Sequence, residues 1–231
     1  CLLSRGLGDV YKRQVQDVVN AGVLPAGALS VIAGSSAGLM DALQPFDVVS
    51  FTGSAETAGV VRAHPAVAQR SVRANIEADS LNAALLMADA APGSAAFDLL
   101  VREVVREMTV KSGQKCTAIR RILVPAALYA AVAEAVSAQL ASVVVGNPRN
   151  PEVRMGSLVS RAQFDGVQAG IAALAAHTDV LHDGRTRPLV DADPAVAACV
   201  GPVLLGARDA DRASIVHDVE VFGPVATLLP Y

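Results

Sequence analysis

The stretch Asp47–His64, DVVSFTGSAETAGVVRAH, decides the fold. Its first part, Asp47–Thr52, is a short apolar run that predicts a buried β-strand. Gly53-Ser54 then forms a turn whose serine can cap a helix over Ala55–His64. Ser71–Glu77 follows and alternates like a second strand. The order strand, Gly-Ser turn, helix also occurs about twenty residues earlier, over Ala28–Leu43, and this repetition predicts a βαβ unit in a parallel sheet.

The rest of the chain repeats this alternation of apolar runs and amphipathic stretches. Nearer the N-terminus, the pattern predicts a buried strand over Ala28–Ala33. It also predicts a turn with a helix cap at Gly34-Ser35-Ser36 and a short helix over Ala37–Leu43. Further along the chain, the pattern predicts helices over Phe97–Lys111, Ala126–Leu140 and Arg161–Ala176, a loop over Gly146–Pro151, and strands over Ile119–Val124, Val180–Leu181, Val200–Leu205 and Val225–Leu229. The fold class is therefore α/β, with helices packed on a largely parallel sheet.

Composition supports a globular chain and excludes several classes of function. Of the 231 residues, 52% are hydrophobic and only 3% aromatic, so Ala, Val, Leu and Ile must build the core. The net charge is −3, and there is neither a basic stripe nor enough aromatic residues to stack bases, which argues against nucleic-acid binding. Charged residues, Gly or Pro interrupt every long apolar run, so no membrane-spanning segment is expected.

The cysteines and histidines indicate the redox environment of the protein and whether it binds a metal. The three cysteines, Cys1, Cys116 and Cys199, are too few for a disulfide framework and suit a reducing, cytoplasmic compartment. The histidines have no metal-ligand spacing, and we expect no metal; they are His64, His177, His182 and His217.

Both ends of the sequence are unusual. Cys1–Gln14, CLLSRGLGDVYKRQ, has no starting Met and no signal-peptide pattern, and it resembles translated sequencing-adapter sequence. We expect it to be a non-native sequencing artefact. The chain stops at Leu229-Pro230-Tyr231, directly after a predicted strand. We expect a fragment of a longer protein.

Cys116 is the first candidate for chemistry. It lies in Lys111–Thr117, KSGQKCT, where a glycine ends a predicted helix and a strand follows. A loop thiol becomes a nucleophile when its pKa is lowered or a base lies nearby. The alternative is a buried structural cysteine, because free cysteines are often buried.

Two further candidates follow the strands of the βαβ unit. The Gly53-Ser54 turn can let a ligand approach the backbone and can hold a phosphate at the helix start, or it can simply cap the helix. Glu77 ends the second strand, where a carboxylate can act as general base, or it can be a surface acid. Asp79 competes with it on the same argument.

The last candidates are Glu220 and Phe222, in the segment Glu220–Pro224, EVFGP. A glutamate can accept hydrogen bonds from ribose hydroxyls, and a phenylalanine can pack on a nicotinamide ring. The alternative is an ordinary turn.

Taken in order, these motifs resemble the aldehyde dehydrogenase superfamily. Phe-Thr-Gly-Ser at 51–54, Glu77, Gly-Gln-Lys-Cys at 113–116 and Glu-Val-Phe-Gly-Pro at 220–224 carry the resemblance, which extends from Val15 to Tyr231. It implies oxidation of an aldehyde to an acid through a cysteine thiohemiacetal and thioester. The implied roles are Cys116 as nucleophile with its backbone N–H as half of an oxyanion hole, Glu77 as base, Gly53 and Ser54 as contacts to nicotinamide and phosphate, Glu220 as ribose ligand, and Phe222 beside the nicotinamide.

The resemblance also implies an organisation and partners. The expected fold is the aldehyde dehydrogenase fold, with 15–78 as the C-terminal part of a Rossmann-like NAD(P)-binding domain and 79–231 as a truncated catalytic domain. The implied cofactor is NADP or NAD, and the parent protein is expected to be a homo-oligomer. We expect the fragment alone to be inactive.

One departure narrows the subfamily. Glu77-Ala78-Asp79-Ser80 stands where the family commonly has Glu-Leu-Gly-Gly. With Val104–Lys111 and Gly113–Arg121, this segment resembles the dehydrogenase domain of the bifunctional phenylacetate-degradation protein PaaZ. The resemblance implies a CoA-linked substrate, 3-oxo-5,6-dehydrosuberyl-CoA semialdehyde. The 3,4-dehydroadipyl-CoA semialdehyde dehydrogenase of benzoate breakdown is the alternative.

Three other functions remain open at this point. A CoA-acylating aldehyde dehydrogenase would release the thioester to CoA, a route that does not need Glu77 as a base. A catalytically dead homologue would serve as a binding module. A generic Rossmann-like binding domain would bury Cys116 as an inert thiol.

Overall fold

The computed structural model describes residues 12–32 and 38–231. They divide into two compact units, one formed by Ser80–Tyr231 and the other by the described residues up to Asp79. Residues 1–11, most of the segment Cys1–Gln14, and 33–37, with the predicted Gly34-Ser35-Ser36 turn, lie outside the described residues.

The N-terminal unit contains the predicted βαβ unit. Its elements are helix α1 over 12–20, a 3₁₀ helix Met40–Ala42, strand β1 Val48–Gly53, helices α2 Ala55–Ala63 and α3 Pro65–Ala68, and strand β2 Arg73–Ala78. Strands β1 and β2 pair in parallel, which confirms a parallel βαβ arrangement, with β1 as its first strand where the prediction put that strand at Ala28–Ala33. The register places Thr52 opposite Glu77 and Gly53 opposite Ala78.

The strand predicted over Ala28–Ala33 is wrong for its described part. Residues 28–32 form no strand, and Leu29, Val31 and Ile32 are 37%, 51% and 65% exposed. An apolar run becomes a strand only by pairing with a neighbour, and no other described segment pairs with this one.

The helix predicted over Ala37–Leu43 is also wrong for its described part. Only the 3₁₀ helix Met40–Ala42 forms there. Gly38 has φ +80°, and a left-handed residue cannot continue a right-handed helix.

The C-terminal unit is built on one five-stranded sheet. Its strands are β3 Asn82–Leu85, β4 Ile119–Val124, β5 Asp179–Asp183, β6 Val203–Gly206 and β7 Val225–Pro230. Its α-helices are α4 Ala95–Thr109, α5 Tyr129–Ala141 and α6 Arg161–Ala175, and its 3₁₀ helices are Val110–Gly113, Ala126–Leu128, Gly184–Thr186 and Ser214–His217. The strand order is β3-β4-β7-β6-β5, and only the β5–β6 pairing is antiparallel.

Alternating side chains divide the core of this unit between the two faces of the sheet. In β7, Leu228 packs with α4 and α5 on one face, whereas Leu229 packs with α6 on the other. Leu204 and Leu205 of β6 divide in the same way. Both faces of the sheet are therefore covered by helices, as expected of largely parallel sheets.

Helix α4 shows how the sequence positions the loop that carries Cys116. Ser94 caps its start by accepting the N–H of Phe97 at 3.3 Å. One face of the helix is buried against the sheet, with Val104 and Met108 fully inaccessible. Packing of this face fixes the C-terminal end of α4, and with it the start of the loop that follows Thr109. None of the described helices is long and apolar enough to cross a bilayer.

Candidate active site

The loop that precedes Cys116 begins with a tight reversal of the backbone. Lys111, Ser112 and Gly113 follow one another with φ of 53°, 55° and 71°. Left-handed φ is costly for residues other than glycine and persists only where surrounding contacts enforce it. One such contact is the Ser112 hydroxyl, which donates to the carbonyl of Gly156 at 2.9 Å.

Gly113 is required by packing as well as by its backbone angle. A Cβ placed on it would lie 2.2 Å from the carbonyl oxygen of Gly223 and 2.7 Å from the nitrogen of Pro224. The backbones of the Cys116 loop and of the Glu220–Pro224 segment thus touch directly. Two motifs that lie over a hundred residues apart in sequence meet here.

Cys116 lies in a turn between this reversal and β4. The N–H of Ala118 donates to the carbonyl of Lys115 at 3.1 Å, so Cys116 and Thr117 are the central residues of the turn. The Cys116 residue is exposed. The buried, inert thiol of the alternative interpretation is instead found at Cys199, where burial raises the pKa.

Two side chains from the start of β3 hold the carbonyl group of Cys116. The Ser80 hydroxyl donates to it at 2.6 Å and the Asn82 amide at 2.7 Å. Asn82 also donates to the carbonyl of Ala118 at 3.1 Å. The turn that presents the thiol is therefore fixed to the sheet.

Arg120 connects the Cys116 loop to the Glu220–Pro224 segment. It is only 5% exposed, and its guanidinium donates to the carbonyls of Gly113 at 2.8 Å and Gly223 at 2.7 Å. Its Nε lies 3.6 Å from Oε1 of Glu220, and its guanidinium carbon lies 5.6 Å from the centre of the Phe222 ring. Burial lowers the pKa of Arg120 and the charge of Glu220 opposes that shift.

Glu220 and Phe222 lie beside this arginine. The Glu220 side chain is 7% exposed, and its Oε2 accepts the backbone N–H of Ser80 at 2.9 Å. Its Oε1 is buried without a hydrogen-bond partner among the described residues. The Phe222 carbonyl accepts a hydrogen bond from the Gln163 side chain at 2.8 Å, which fixes the backbone next to the ring.

The N-terminal unit carries the other predicted site residues. Ser54 caps α2 by accepting a hydrogen bond from the N–H of Thr57 at 3.2 Å. Gly53 lies close to the Phe51 ring of the same strand, and a Cβ on Gly53 would lie 2.6 Å from that ring. Glu77 is exposed at the end of β2, beside Thr52 of β1.

Asp79 has a structural part in this unit. It adopts φ 50°, and its carboxylate accepts the N–H of Ala55 at 3.0 Å at the start of α2. A carboxylate at this position complements the positive end of the helix dipole.

The predicted site residues therefore fall into two groups. In the C-terminal unit, Glu220 and Phe222 lie beside Arg120, and Ser80 links Glu220 to the carbonyl of Cys116. Gly53, Ser54 and Glu77 belong to the N-terminal unit, at the ends of its two strands. The described residues contain no cluster of side chains suited to a metal ion.

Comparison with known proteins identifies the family. The sequence profile of the aldehyde dehydrogenase family matches residues 12–231. The chain belongs to the aldehyde dehydrogenase family. Relatives include the 3,4-dehydroadipyl-CoA semialdehyde dehydrogenase of Aromatoleum evansii, which is 56% identical over 95% of this chain and 43% of its own length. An aminoacetaldehyde dehydrogenase of Pseudomonas aeruginosa is 28% identical over 94% of this chain and 42% of its own length.

Solved aldehyde dehydrogenases share the fold. The betaine aldehyde dehydrogenase of Staphylococcus aureus in complex with NAD⁺ has a TM-score of 0.79 at 24% identity, over 94% of this chain and 42% of that one. The aldehyde dehydrogenase of Bartonella henselae has a TM-score of 0.76 at 23% identity, over 96% and 45%. The chain spans less than half the length of the curated relatives that it matches.

Sequence analysis of this aldehyde dehydrogenase chain missed three residues of the site. Arg120 lies inside the apolar run of β4. A buried arginine needs an acidic or hydrogen-bonding partner, but the sequence does not show which residue that partner is. Ser80 and Asn82 follow the Glu77 motif, and nothing in their spacing predicts that they bind the carbonyl of Cys116. Only the pairing of β3 with β4 brings them there.

Proposed function

We propose that the protein oxidises an aldehyde to a carboxylic acid with NAD(P), using Cys116 as nucleophile and Glu77 as general base. The observation that supports this most is the exposed Cys116 thiol on a turn held by Ser80, Asn82 and Ala118. A nucleophile needs access to substrate and a fixed direction of attack. Membership of the aldehyde dehydrogenase family adds independent support.

The chemistry assigned to the chain's own residues proceeds in two stages. The Cys116 thiolate attacks the aldehyde carbon, and the new S–C bond gives a thiohemiacetal whose oxyanion the Cys116 backbone N–H stabilises. Bound NAD(P)⁺ would supply the hydride acceptor that converts this adduct to a thioester, and Gly53, Ser54, Glu220 and Phe222 would hold it. Glu77 then takes a proton from water, the hydroxide adds to the thioester carbonyl, and the acid leaves as the Cys116 thiolate is restored.

Each unit by itself carries residues suited to part of a dinucleotide. Ser54 is exposed at the first turn of the nine-residue helix α2, where a phosphate is stabilised by the helix dipole. In the other unit, Oε1 of Glu220 lies 3.6 Å from Arg120 Nε without a hydrogen bond, and it would accept one from a ribose hydroxyl. We therefore assign Gly53, Ser54, Glu220 and Phe222 to NAD(P), residues 15–78 to the nucleotide-binding domain, and 79–231 to the catalytic domain.

We further propose that the substrate is a CoA-linked semialdehyde. The relative that is 56% identical acts, by its name, on 3,4-dehydroadipyl-CoA semialdehyde. This favours the benzoate-type substrate over the 3-oxo-5,6-dehydrosuberyl-CoA semialdehyde of phenylacetate breakdown, which the resemblance to PaaZ had put first. Both described cysteines are free thiols, which suits a cytoplasmic location, and the parent protein is proposed to be a homo-oligomer.

The test uses the full-length protein. NADH and NADPH formation would be followed with both CoA-linked semialdehydes and with simple aldehydes, for the wild type, Cys116→Ala and Cys199→Ala. We expect turnover of 3,4-dehydroadipyl-CoA semialdehyde that Cys116→Ala abolishes and Cys199→Ala retains. Turnover of simple aldehydes alone would refute the proposed CoA-linked substrate. With free CoA added, formation of a new CoA thioester at the oxidised carbon instead of a carboxylate would refute the role of Glu77.

Thiol labelling distinguishes the enzyme from a binding module with a buried, inert Cys116. We expect iodoacetamide to modify Cys116 at least about tenfold faster than Cys199, because the former is exposed and the pKa of the latter is raised by burial. Peptide mass spectrometry of the native protein measures both rates. Equal rates, or slower labelling of Cys116, would contradict the proposed nucleophile.

A further inference from the structure

The carbonyl group of Cys116 has two side-chain donors, both from the start of β3. Ser80 Oγ lies 2.6 Å and Asn82 Nδ2 2.7 Å from the oxygen. Asn82 Nδ2 is also 3.3 Å from Ser80 Oγ, so the two donors lie side by side. A carbonyl oxygen has two lone pairs, and both are used here.

These bonds bear directly on the direction of the thiol. A peptide group is planar, so a bond to the Cys116 carbonyl fixes the plane that follows Cys116. The plane before Cys116 is fixed by the bond from the Ala118 N–H to the Lys115 carbonyl. With both flanking planes fixed, the Cα–Cβ bond of Cys116 has one direction.

Ser80 also contacts the segment proposed to bind the nucleotide. Its backbone N–H donates to Oε2 of Glu220 at 2.9 Å, while its hydroxyl donates to Cys116. One residue thus spans the nucleophile turn and the proposed ribose ligand. Replacing Ser80 by alanine removes the bond to the Cys116 carbonyl and leaves the bond to Glu220, because the backbone N–H is retained.

We infer that Ser80 is a positioning residue for the nucleophile, with its hydroxyl setting the direction of the Cα–Cβ bond that carries the Cys116 thiol. This inference rests on the proposed function for its catalytic consequence. The hydrogen bond itself is a property of the C-terminal unit alone. Asn82 supports the same carbonyl but also binds Ala118, so its replacement would disturb the whole turn.

The kinetic test compares three variants of the full-length protein. Ser80→Ala removes the hydroxyl, Ser80→Thr keeps one, and Ser142→Ala removes a serine hydroxyl that donates to the carbonyl of Gln139 at 2.7 Å, remote in sequence from Cys116. We expect Ser80→Ala to lower kcat roughly tenfold, equivalent to about 1.4 kcal/mol of activation free energy. KM for aldehyde and nucleotide should stay within about twofold, because binding groups are untouched.

The two comparison variants decide between positioning and general stability. Ser80→Thr should recover most of kcat, and Ser142→Ala should match the wild type. Equal kcat in Ser80→Ala and the wild type would overturn the inference. So would a loss of kcat in Ser80→Ala that is accompanied by an equal loss in Ser142→Ala.

Hydrogen–deuterium exchange separates this inference from the proposed function. In Ser80→Ala, the amides of the peptide spanning 114–118 should exchange about tenfold faster than in the wild type, since one of the two side-chain hydrogen bonds to the Cys116 carbonyl is lost. Should the wild type not oxidise aldehydes, this result would still support the positioning contact while the proposed function fails. Unchanged exchange in Ser80→Ala would overturn the inference whatever the activity.

Discussion

Replacing Arg120 by methionine removes the charge that connects the Cys116 loop to the Glu220–Pro224 segment. The side chain is 4% exposed, and it reaches Glu220, Gly113 and Gly223. Methionine fills a similar volume without the guanidinium. The dominant cost is therefore the loss of polar partners, and a cavity contributes little.

The size of this loss of stability depends on which hydrogen bonds the three former partners of Arg120 keep. The Gly113 carbonyl still accepts the N–H of Lys115, and the Gly223 carbonyl still accepts that of Val225. The Glu220 carboxylate keeps only the Ser80 N–H and becomes a buried, uncompensated charge. Breaking a buried ion pair from one side typically costs about 3–5 kcal/mol, and the retained bonds place this variant at about 3 kcal/mol.

Urea denaturation of the full-length protein measures this loss of unfolding free energy. Arg161→Met is the matched control, because Arg161 is half exposed in its pair with Asp165 and should lose less than about 1 kcal/mol. Adding Glu220→Gln to Arg120→Met should recover part of the loss, since the uncompensated charge is removed. A loss below about 1 kcal/mol in Arg120→Met would refute this reasoning.

Two further predictions concern the backbone and the pH dependence of stability. Gly113→Ala should lower the unfolding free energy by about 3 kcal/mol, because its Cβ would meet the Gly223 carbonyl and φ at this position is +71°. Gly166→Ala is the control and should be neutral or stabilising, because a Cβ on this residue of α6 would lie in open space. Equal melting temperatures of the two variants would contradict this prediction. Hydrogen bonds from Arg185 lower the pKa of Asp183, so its stabilisation is present above the ordinary carboxyl pKa and is lost as pH falls through the lowered pKa. Asp183→Asn should therefore flatten the acid limb of a stability–pH curve, and an unchanged limb would contradict the assignment.

The parts of the fold that could be predicted from sequence are those with a local physical signal. The Gly53-Ser54 turn, the alternation of Ser71–Glu77 and the apolar run Ile119–Val124 each specify an element by themselves, and the structure has all three. Strand β3 gave no such signal, because Asn82–Leu85 is four residues long and half alanine. Ala28–Ala33 failed for the opposite reason, since its apolar run has no partner strand among residues the structure describes.

The residues of the candidate site also differ in whether the sequence alone gives a local signal for them. Cys116 and Glu220 could be proposed from the sequence because ionisable or nucleophilic residue types stand there in motifs that contain glycine. Arg120 and Ser80 could not, because each acts on backbone carbonyls or carboxylates brought close only by the strand pairing. Sequence patterns identify reactive groups, whereas the residues that hold them become visible only in three dimensions.

The most direct test of the proposed mechanism is to trap the thioester. Glu77→Gln in the full-length protein should slow hydrolysis, so that mixing with NAD(P)⁺ and 3,4-dehydroadipyl-CoA semialdehyde, followed by acid quenching and peptide mass spectrometry, finds the acyl group on the peptide that contains Cys116. Reduced nucleotide should form in a burst equal to the number of active sites. An acyl group on another residue, or full turnover by Glu77→Gln without any adduct, would contradict the assignment of Cys116 and Glu77.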